Sequence, residues 1–292
     1  MMWAENQSNK VWKDIALIKT VDEMRACSRK IRAEGKSIGL VPTMGALHEG
    51  HLSLVRFMLQ ETDKVAVSIF VNPAQFGPGE DLEAYPRQLE QDIALLQREG
   101  AHIVYCPDVK EMYPDDFATK VSVSGVSEGL CGEMRPGHFE GVATVVAKLL
   151  LQVEPDKAIF GEKDYQQLCV IRRLVKDLDL PCDVLAGEVV RDEHGLALSS
   201  RNAYLDDAQI KTARSLNTIL KAVRDDILSN TDVGKALDKG RQSLIEKGFE
   251  QVEYLELRDA IALNPLAVYQ SPARLLVAVR LGPARLIDNI PV

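Results

Sequence analysis

The sequence predicts an α/β protein: a parallel sheet covered by helices over residues 1–189, then a smaller α+β domain over 190–292. Three observations carry this. Short apolar runs ending at Pro or Gly alternate with helix-period segments through the first two-thirds of the chain, the pattern of a parallel sheet. Two amphipathic stretches followed by strand-like runs fill the last third. The length of 292 residues exceeds the usual single-domain size and suffices to bury a large core.

The elements follow in order. Residues 37–41 are apolar and end at Pro42, as a buried strand does. Over 52–59 the apolar residues fall at 52, 54, 55, 58 and 59, one face of a helix. A second strand, 65–71, stops at Asn72-Pro73. Ile93, Leu95 and Leu96 mark a helix closed by Gly100, and 102–105 reads as a strand. An apolar helix over 142–151 runs up to Pro155, and a strand over 157–160 ends at Gly161. A helix over 168–178 then stops near Pro181, and a strand covers 182–190. Beyond this the sequence predicts helices over 206–228 and 232–247, then strands over 252–257, 275–281 and 284–287.

Composition narrows the function. Thirty-five Lys and Arg against 43 Asp and Glu give a net charge of −8, which disfavours general nucleic-acid binding. Residues 1–10 are polar and predict no signal peptide, and no apolar run approaches the ~20 residues that cross a bilayer. Five scattered cysteines without C-x-x-C spacing fit reduced thiols, so a cytoplasmic protein without a membrane partner is expected.

The chemistry-bearing segments sit at strand-to-helix junctions. Pro42-Thr-Met-Gly-Ala-Leu-His48-Glu-Gly-His51 follows the first of these strands, where free N–H groups and the helix dipole favour a phosphate. His48 and His51 share a face of the helix start, roughly 5–6 Å apart at Cβ, and can donate to an oxyanion. A metal half-site or a pair of capping histidines is the blander alternative. Neither a G-x-x-x-x-G-K-[ST] loop nor a strand-anchored G-x-G-x-x-G is present, which disfavours a P-loop ATPase and an ordinary dehydrogenase. Leu198-Ser-Ser-Arg201 offers a phosphate clamp or a helix N-cap. Gly161-Glu-Lys163-Asp164-Tyr-Gln-Gln167 offers a lysine at a turn, or an ordinary charged turn. Asn72-Pro-Ala-Gln75 supplies amides for a small polar ligand, and Arg135-Pro-Gly-His138 one cation and one imidazole.

Together P-T-M-G-x-L-H-x-G-H, I-F-V-N-P-x-Q-F, R-P-G-H-F-x-G-V-x-T-V-V, G-E-K-D-x-Q-Q and S-S-R-N resemble the pantothenate synthetase (pantoate–β-alanine ligase) family, from about Lys19 to the C-terminus. That family belongs to the H-x-G-H nucleotidyltransferases, whose ATP site lies on a Rossmann-like sheet. The resemblance implies that ATP, with Mg²⁺, activates (R)-pantoate as an acyl adenylate with loss of pyrophosphate. The amine of β-alanine then releases AMP and forms pantothenate. A homodimer is also implied. Another H-x-G-H nucleotidyltransferase adenylating a different small substrate is the alternative, and a nucleotide-binding regulator a more remote one.

Carried over by position, the resemblance gives an ATP site of Met44, Gly45, Ala46, Leu47, His48, Glu49, Gly50 and His51 together with Gly161, Glu162, Lys163 and Asp164. Val190, Leu198, Ser199, Ser200 and Arg201 complete it, the smaller domain covering the nucleotide. His51, His48, Lys163 and Arg201 would carry catalysis, with His51 the proton donor. Gln75 would contact pantoate and β-alanine, Gln167 pantoate, and Asn72, Arg135 and His138 the pocket wall. Leu198 stands where the family often has Met, a volume-conserving change. Asp92 matches a carboxylate near Mg²⁺ in some members, although Gln91 replaces a second acid.

Overall fold

Six strands, β1 (Ala16–Ile18), β2 (Ile38–Thr43), β3 (Lys64–Ile69), β4 (Ile103–Tyr105), β5 (Lys157–Gly161) and β6 (Asp183–Gly187), form one parallel sheet in the order β1-β4-β3-β2-β5-β6. The structure is a computed structural model describing residues 15–292; residues 1–10, where the signal-peptide expectation falls, lie outside them. From β2 the chain winds one way to β3 and β4, and β5 and β6 lie on the other side. The reversal between β2 and β5 opens a crevice at their carboxyl ends, where such sheets bind ligands.

Strand side chains alternate between two apolar layers, so helices cover both faces. Ile38, Leu40, Ala66, Ile103, Tyr105, Ala158 and Phe160 pack on one side with α1 (Val21–Ala33), α6 (His138–Val153) and α7 (Tyr165–Asp177). Val41, Val65, Val67, Val104 and Ile159 face α2 (Glu49–Glu61) and α3 (Leu89–Glu99) on the other. Helix α2 lies so close to β2 that a Cβ on Gly39 would sit 2.3 Å from Met58 Cγ. Two further short helices, α4 (Val109–Met112) and α5 (Leu130–Met134), lie in the connection from β4 to α6.

The last third is α+β, as expected. Helices α8 (Asp207–Ala213), α9 (Ser215–Leu228) and α10 (Val233–Glu246) precede an antiparallel sheet of β7 (Gln251–Asp259), β8 (Ala273–Leu281) and β9 (Ala284–Pro291). The single helix expected over 206–228 is broken at Arg214. There Arg214 Nε bonds Asp192 at 2.8 Å and Ser215 Oγ bonds the Thr212 carbonyl at 2.7 Å, side-chain bonds that compete with a continuous ladder. Strand β8 is buried on both faces. Leu275, Val277, Val279 and Leu281 pack with Leu216, Leu220 and Val223, while Leu276 and Ala278 join the core that contains Tyr165 and Leu168.

Candidate active site

The segment between β2 and α2 is shaped by its own hydrogen bonds. Gly45 (φ 85) and Ala46 (φ 51) are left-handed, which turns the chain sharply after Thr43. Thr43 Oγ1 accepts the Gly45 N–H at 3.2 Å. The Asp92 carboxylate, 1% exposed, accepts the N–H groups of Ala46 and Leu47 at 3.0 and 2.9 Å. His48 caps α2: its Nδ1 accepts the Gly50 N–H at 3.1 Å, and His51 Nδ1 accepts the His48 N–H at 3.3 Å. The N–H groups of Gly45, Ala46, Leu47, His48 and Gly50 are therefore bonded within the loop or to Asp92.

What the loop presents instead is two imidazoles with ring centroids 4.1 Å apart. Each accepts at Nδ1, so each carries its proton on Nε2 and offers a donor. Burial, with Lys163 adding to it, depresses His48 to about 4. Burial, then His48 and Lys163, depresses His51 to about 3. Both are neutral near pH 7.

A cavity of about 220 Å³ gathers most of the expected residues. Met44, His48, Gly50 and His51 come from the first loop, Asn72 and Gln75 from the turn after β3, Arg135 from the end of α5 and His138 from the start of α6. Gly161, Lys163, Asp164 and Gln167 follow β5, and Val190, Leu198, Ser199, Ser200 and Arg201 close the other wall. A neighbouring space of about 420 Å³ shares Arg135, His138, Lys163, Asp164, Gln167, Ser199 and Arg201, and opens toward the C-terminal sheet.

The polar groups are held in place by specific partners. Asn72 is 1% exposed; its Oδ1 accepts from Ala74 N–H (3.2 Å) and Tyr113 OH (2.8 Å). Its Nδ2 donates to the Gly141 carbonyl (3.2 Å) and to Gln75 Oε1 (3.0 Å), so Asn72 orients Gln75. His138 Nδ1 donates to the Gln75 carbonyl at 2.9 Å, leaving Nε2 to accept from Arg135 at 3.0 Å. Burial and the adjacent Arg135 guanidinium lower His138 to about 4. Arg135 forks onto Glu80 with two contacts of 2.7 Å, and Arg201 onto Asp81 at 3.1 and 2.9 Å. Among the described residues Lys163 has only a long 3.9 Å ion pair with Asp164. Desolvation acts to raise the Asp164 carboxyl, but Lys163, Arg201, His138 and Arg135 outweigh it and the net direction is down.

Some expected residues lie elsewhere. Gly45, Ala46 and Leu47 are buried in the loop and do not line this cavity. Glu49 is exposed and pairs with Arg56. Glu162 pairs with Arg274 at 2.8 Å. Asp92, expected near Mg²⁺, is buried, and each of its oxygens accepts a backbone N–H of the first loop, so the carboxylate anchors that loop. Among the described residues no group of three His, Cys, Asp or Glu side chains could hold a metal ion. Conversely, the sequence did not point to Glu80, Asp81, Tyr85 or Tyr113. A turn reading Pro78-Gly-Glu-Asp-Leu carries no sign of the arginines it meets, which are 55 and 120 residues away.

Neutral imidazole donors, a lightly paired lysine and two arginines at the switch point of a doubly wound sheet define a class of α/β enzyme that handles a phosphate-bearing ligand. Comparison with known proteins gives the family. The family described as pantoate–β-alanine ligase matches residues 16–291. Pantothenate synthetase of Rhodospirillum rubrum is 54% identical over 279 residues, covering 95% of this chain and 99% of that protein. Its counterpart in Chelativorans sp. is 53% identical, with 95% and 98% covered. A pantothenate synthetase structure from Thermus thermophilus superposes with a TM-score of 0.90 at 47% identity, covering 94% of this chain and 99% of that one. The pantoate–β-alanine ligase of Francisella tularensis, complexed with β,γ-ATP and β-alanine, gives 0.81 at 33% identity, with 95% and 97% covered. The chain belongs to the pantoate–β-alanine ligase family. No helix among the described residues is long and apolar enough to cross a membrane.

Proposed function

We propose that the cleft joins (R)-pantoate to β-alanine in two steps through a pantoyl adenylate. A pantoate carboxylate oxygen attacks the α-phosphorus of MgATP, and the bond to the bridging oxygen breaks to release pyrophosphate. The β-alanine amine then attacks the acyl carbon, loses a proton, and expels AMP. A carboxylate oxygen is a poor leaving group and AMP a good one, so the enzyme's work is placement and charge stabilisation.

The residues support distinct parts of this. His48 and His51 line the cavity, and their Nε2–H donors would bond phosphate oxygens as charge builds there. Lys163, whose ion pair with Asp164 is long where Arg135 and Arg201 are tightly paired, would meet the phosphates, and Ser199, Ser200 and Arg201 stand on the opposite wall. Gly161, Asp164, Val190 and Leu198 would bracket the nucleotide. Gln75 and Gln167 would hold pantoate, Gln75 also meeting β-alanine. Mg²⁺ would be held mainly by the ATP phosphates and waters, as this ion usually is. The proposal includes a boundary near residue 189, with the smaller domain covering the ATP site. It includes a homodimer, which the family resemblance suggests, and a cytoplasmic location, with which five free cysteines agree.

The observation that carries this proposal is the meeting of His48, His51, Lys163, Gln75 and Gln167 in one cavity at the β2/β5 crevice. Pantoate labelled with ¹⁸O in its carboxylate should deliver one label to AMP, released in equal amount with pantothenate. Label in orthophosphate, with ADP as the product, would sink the adenylate route.

A further inference from the structure

Two adjacent residues of the last strand tie together the two loops assigned above to the nucleotide phosphates. Asp288 and Asn289 lie inside β9 at 3% and 2% exposure, unusual places for polar side chains unless partners compensate them. Asn289 Nδ2 donates to the carbonyls of Glu162 (2.9 Å) and Lys163 (3.0 Å), and its Oδ1 accepts from Arg274 Nε at 2.6 Å. Arg274 in turn pairs with Glu162 at 2.8 Å. The Asp288 carboxylate takes both forks of Arg191, at 2.7 and 2.8 Å, and the Asn289 N–H at 2.7 Å. Arg191 also donates to the Gly195 carbonyl at 3.1 Å and its backbone bridges Ala197, which fixes the turn leading to Leu198 and Ser199.

We infer that Asn289 is a positioning residue for Lys163, and that the Asp288–Asn289 pair sets the spacing between the lysine turn and the serine–arginine loop. Holding the carbonyl of a residue fixes its peptide plane and so the direction its side chain leaves the backbone. Lys163 lies in a short 3₁₀ turn, Glu162–Asp164, where no side chain caps the start. Asn289 restrains that turn from its carbonyl side, 126 residues away. A fully satisfied buried polar cluster defines one geometry where an apolar pair would tolerate several. A misplacement of about 1 Å at a reacting group costs on the order of 10²-fold in rate.

This inference rests on Lys163 serving the phosphates, so the test has separate arms. Full-length enzyme carrying Asn289→Ala, Lys163→Ala or both is assayed for kcat, for KM of ATP and β-alanine, and for thermal midpoint. Asn289→Ala should lower kcat on the order of 10²-fold, with KM for β-alanine within about twofold and a retained cooperative unfolding transition. In the Lys163→Ala background the same change should cost less than about twofold, since residues acting as a unit are non-additive. Losses that multiply in the double variant, or an unchanged kcat in Asn289→Ala, overturn the inference. An unchanged kcat/KM in Lys163→Ala overturns the role of the lysine itself, and the inference with it. Should Asn289→Ala not fold, Asn289→Asp keeps the volume and the acceptor for Arg274 but turns an oxygen on the two carbonyls. It should show the same loss, and wild-type kcat there refutes the positioning.

Discussion

At the scale of single residues, the two imidazoles and the carboxylate behind them divide the work of the first loop. His48 and His51 bring donors without charge, so they can meet an oxyanion without first shedding a strongly held solvent shell. His51→Ala should lower kcat/KM by about 10²–10³, as expected for the loss of one preorganised donor, while leaving the unfolding midpoint in urea little changed. In the free enzyme the acid limb of kcat/KM from these groups should fall near pH 4, not near the ordinary histidine value of 6.5. A limb centred at 6.5 would contradict the buried, neutral assignment. The sign for stability follows from linkage. His51 in the folded chain titrates at about 3, well below 6.5, so between these values the unfolded chain binds more protons. Its contribution is intact above 6.5 and shrinks as pH falls toward 3; His51→Gln should flatten the loss measured between pH 7 and 5. Asp92→Asn turns a donor toward one of the two backbone N–H groups and should destabilise by about 1–3 kcal/mol. The Mg²⁺ concentration for half-maximal activity should not move if Asp92 serves the loop alone, and a shift of tenfold would mark Asp92 as a ligand.

At the scale of elements, most of the sheet and its helices could be read from periodicity, because strands buried on both faces are short apolar runs with hard stops. Strand β1 and helix α1 escaped. Three residues of strand give no pattern, yet Thr20 and Glu23 form a capping box that does mark the start of α1. The break between α8 and α9 depends on Asp192, beyond the reach of any local window. The approach of α2 to β2 was equally hidden, since Gly39 is one small residue in a strand. Gly39→Ala places a methyl 2.3 Å from Met58 Cγ and 2.5 Å from Thr62 Oγ1. Met58 is fully buried, so overpacking should cost about 1–3 kcal/mol in denaturant unfolding. A variant as stable as the parent would mean that α2 slides freely.

At the scale of the whole molecule, the C-terminal sheet closes the core that the parallel sheet leaves open on that side. Leu276, Ala278 and Tyr254 belong to the same buried cluster as Tyr165 and Leu168. A fragment ending at Gly187 would expose that apolar surface, an aggregation liability. It should bind a hydrophobic dye and lose the single cooperative transition of the full chain, checked by fluorescence and calorimetry. A fragment with sharp two-state unfolding and no dye binding would show that the first 187 residues need no cover.

The sequence by itself determined the fold class, the strand-to-helix junctions that carry chemistry and, through its motifs, the family. Each of these is local: periodicity, turn residues and contiguous motifs are set by neighbours along the chain. Only the tertiary structure decided how the site is wired. It set Asp92 on two backbone N–H groups, paired Arg135 with Glu80 and Arg201 with Asp81, and set Asn289 on the carbonyl of Lys163. Those contacts join residues dozens to more than a hundred positions apart, and a hydrogen bond at 3 Å depends on packing that no pattern along the chain encodes.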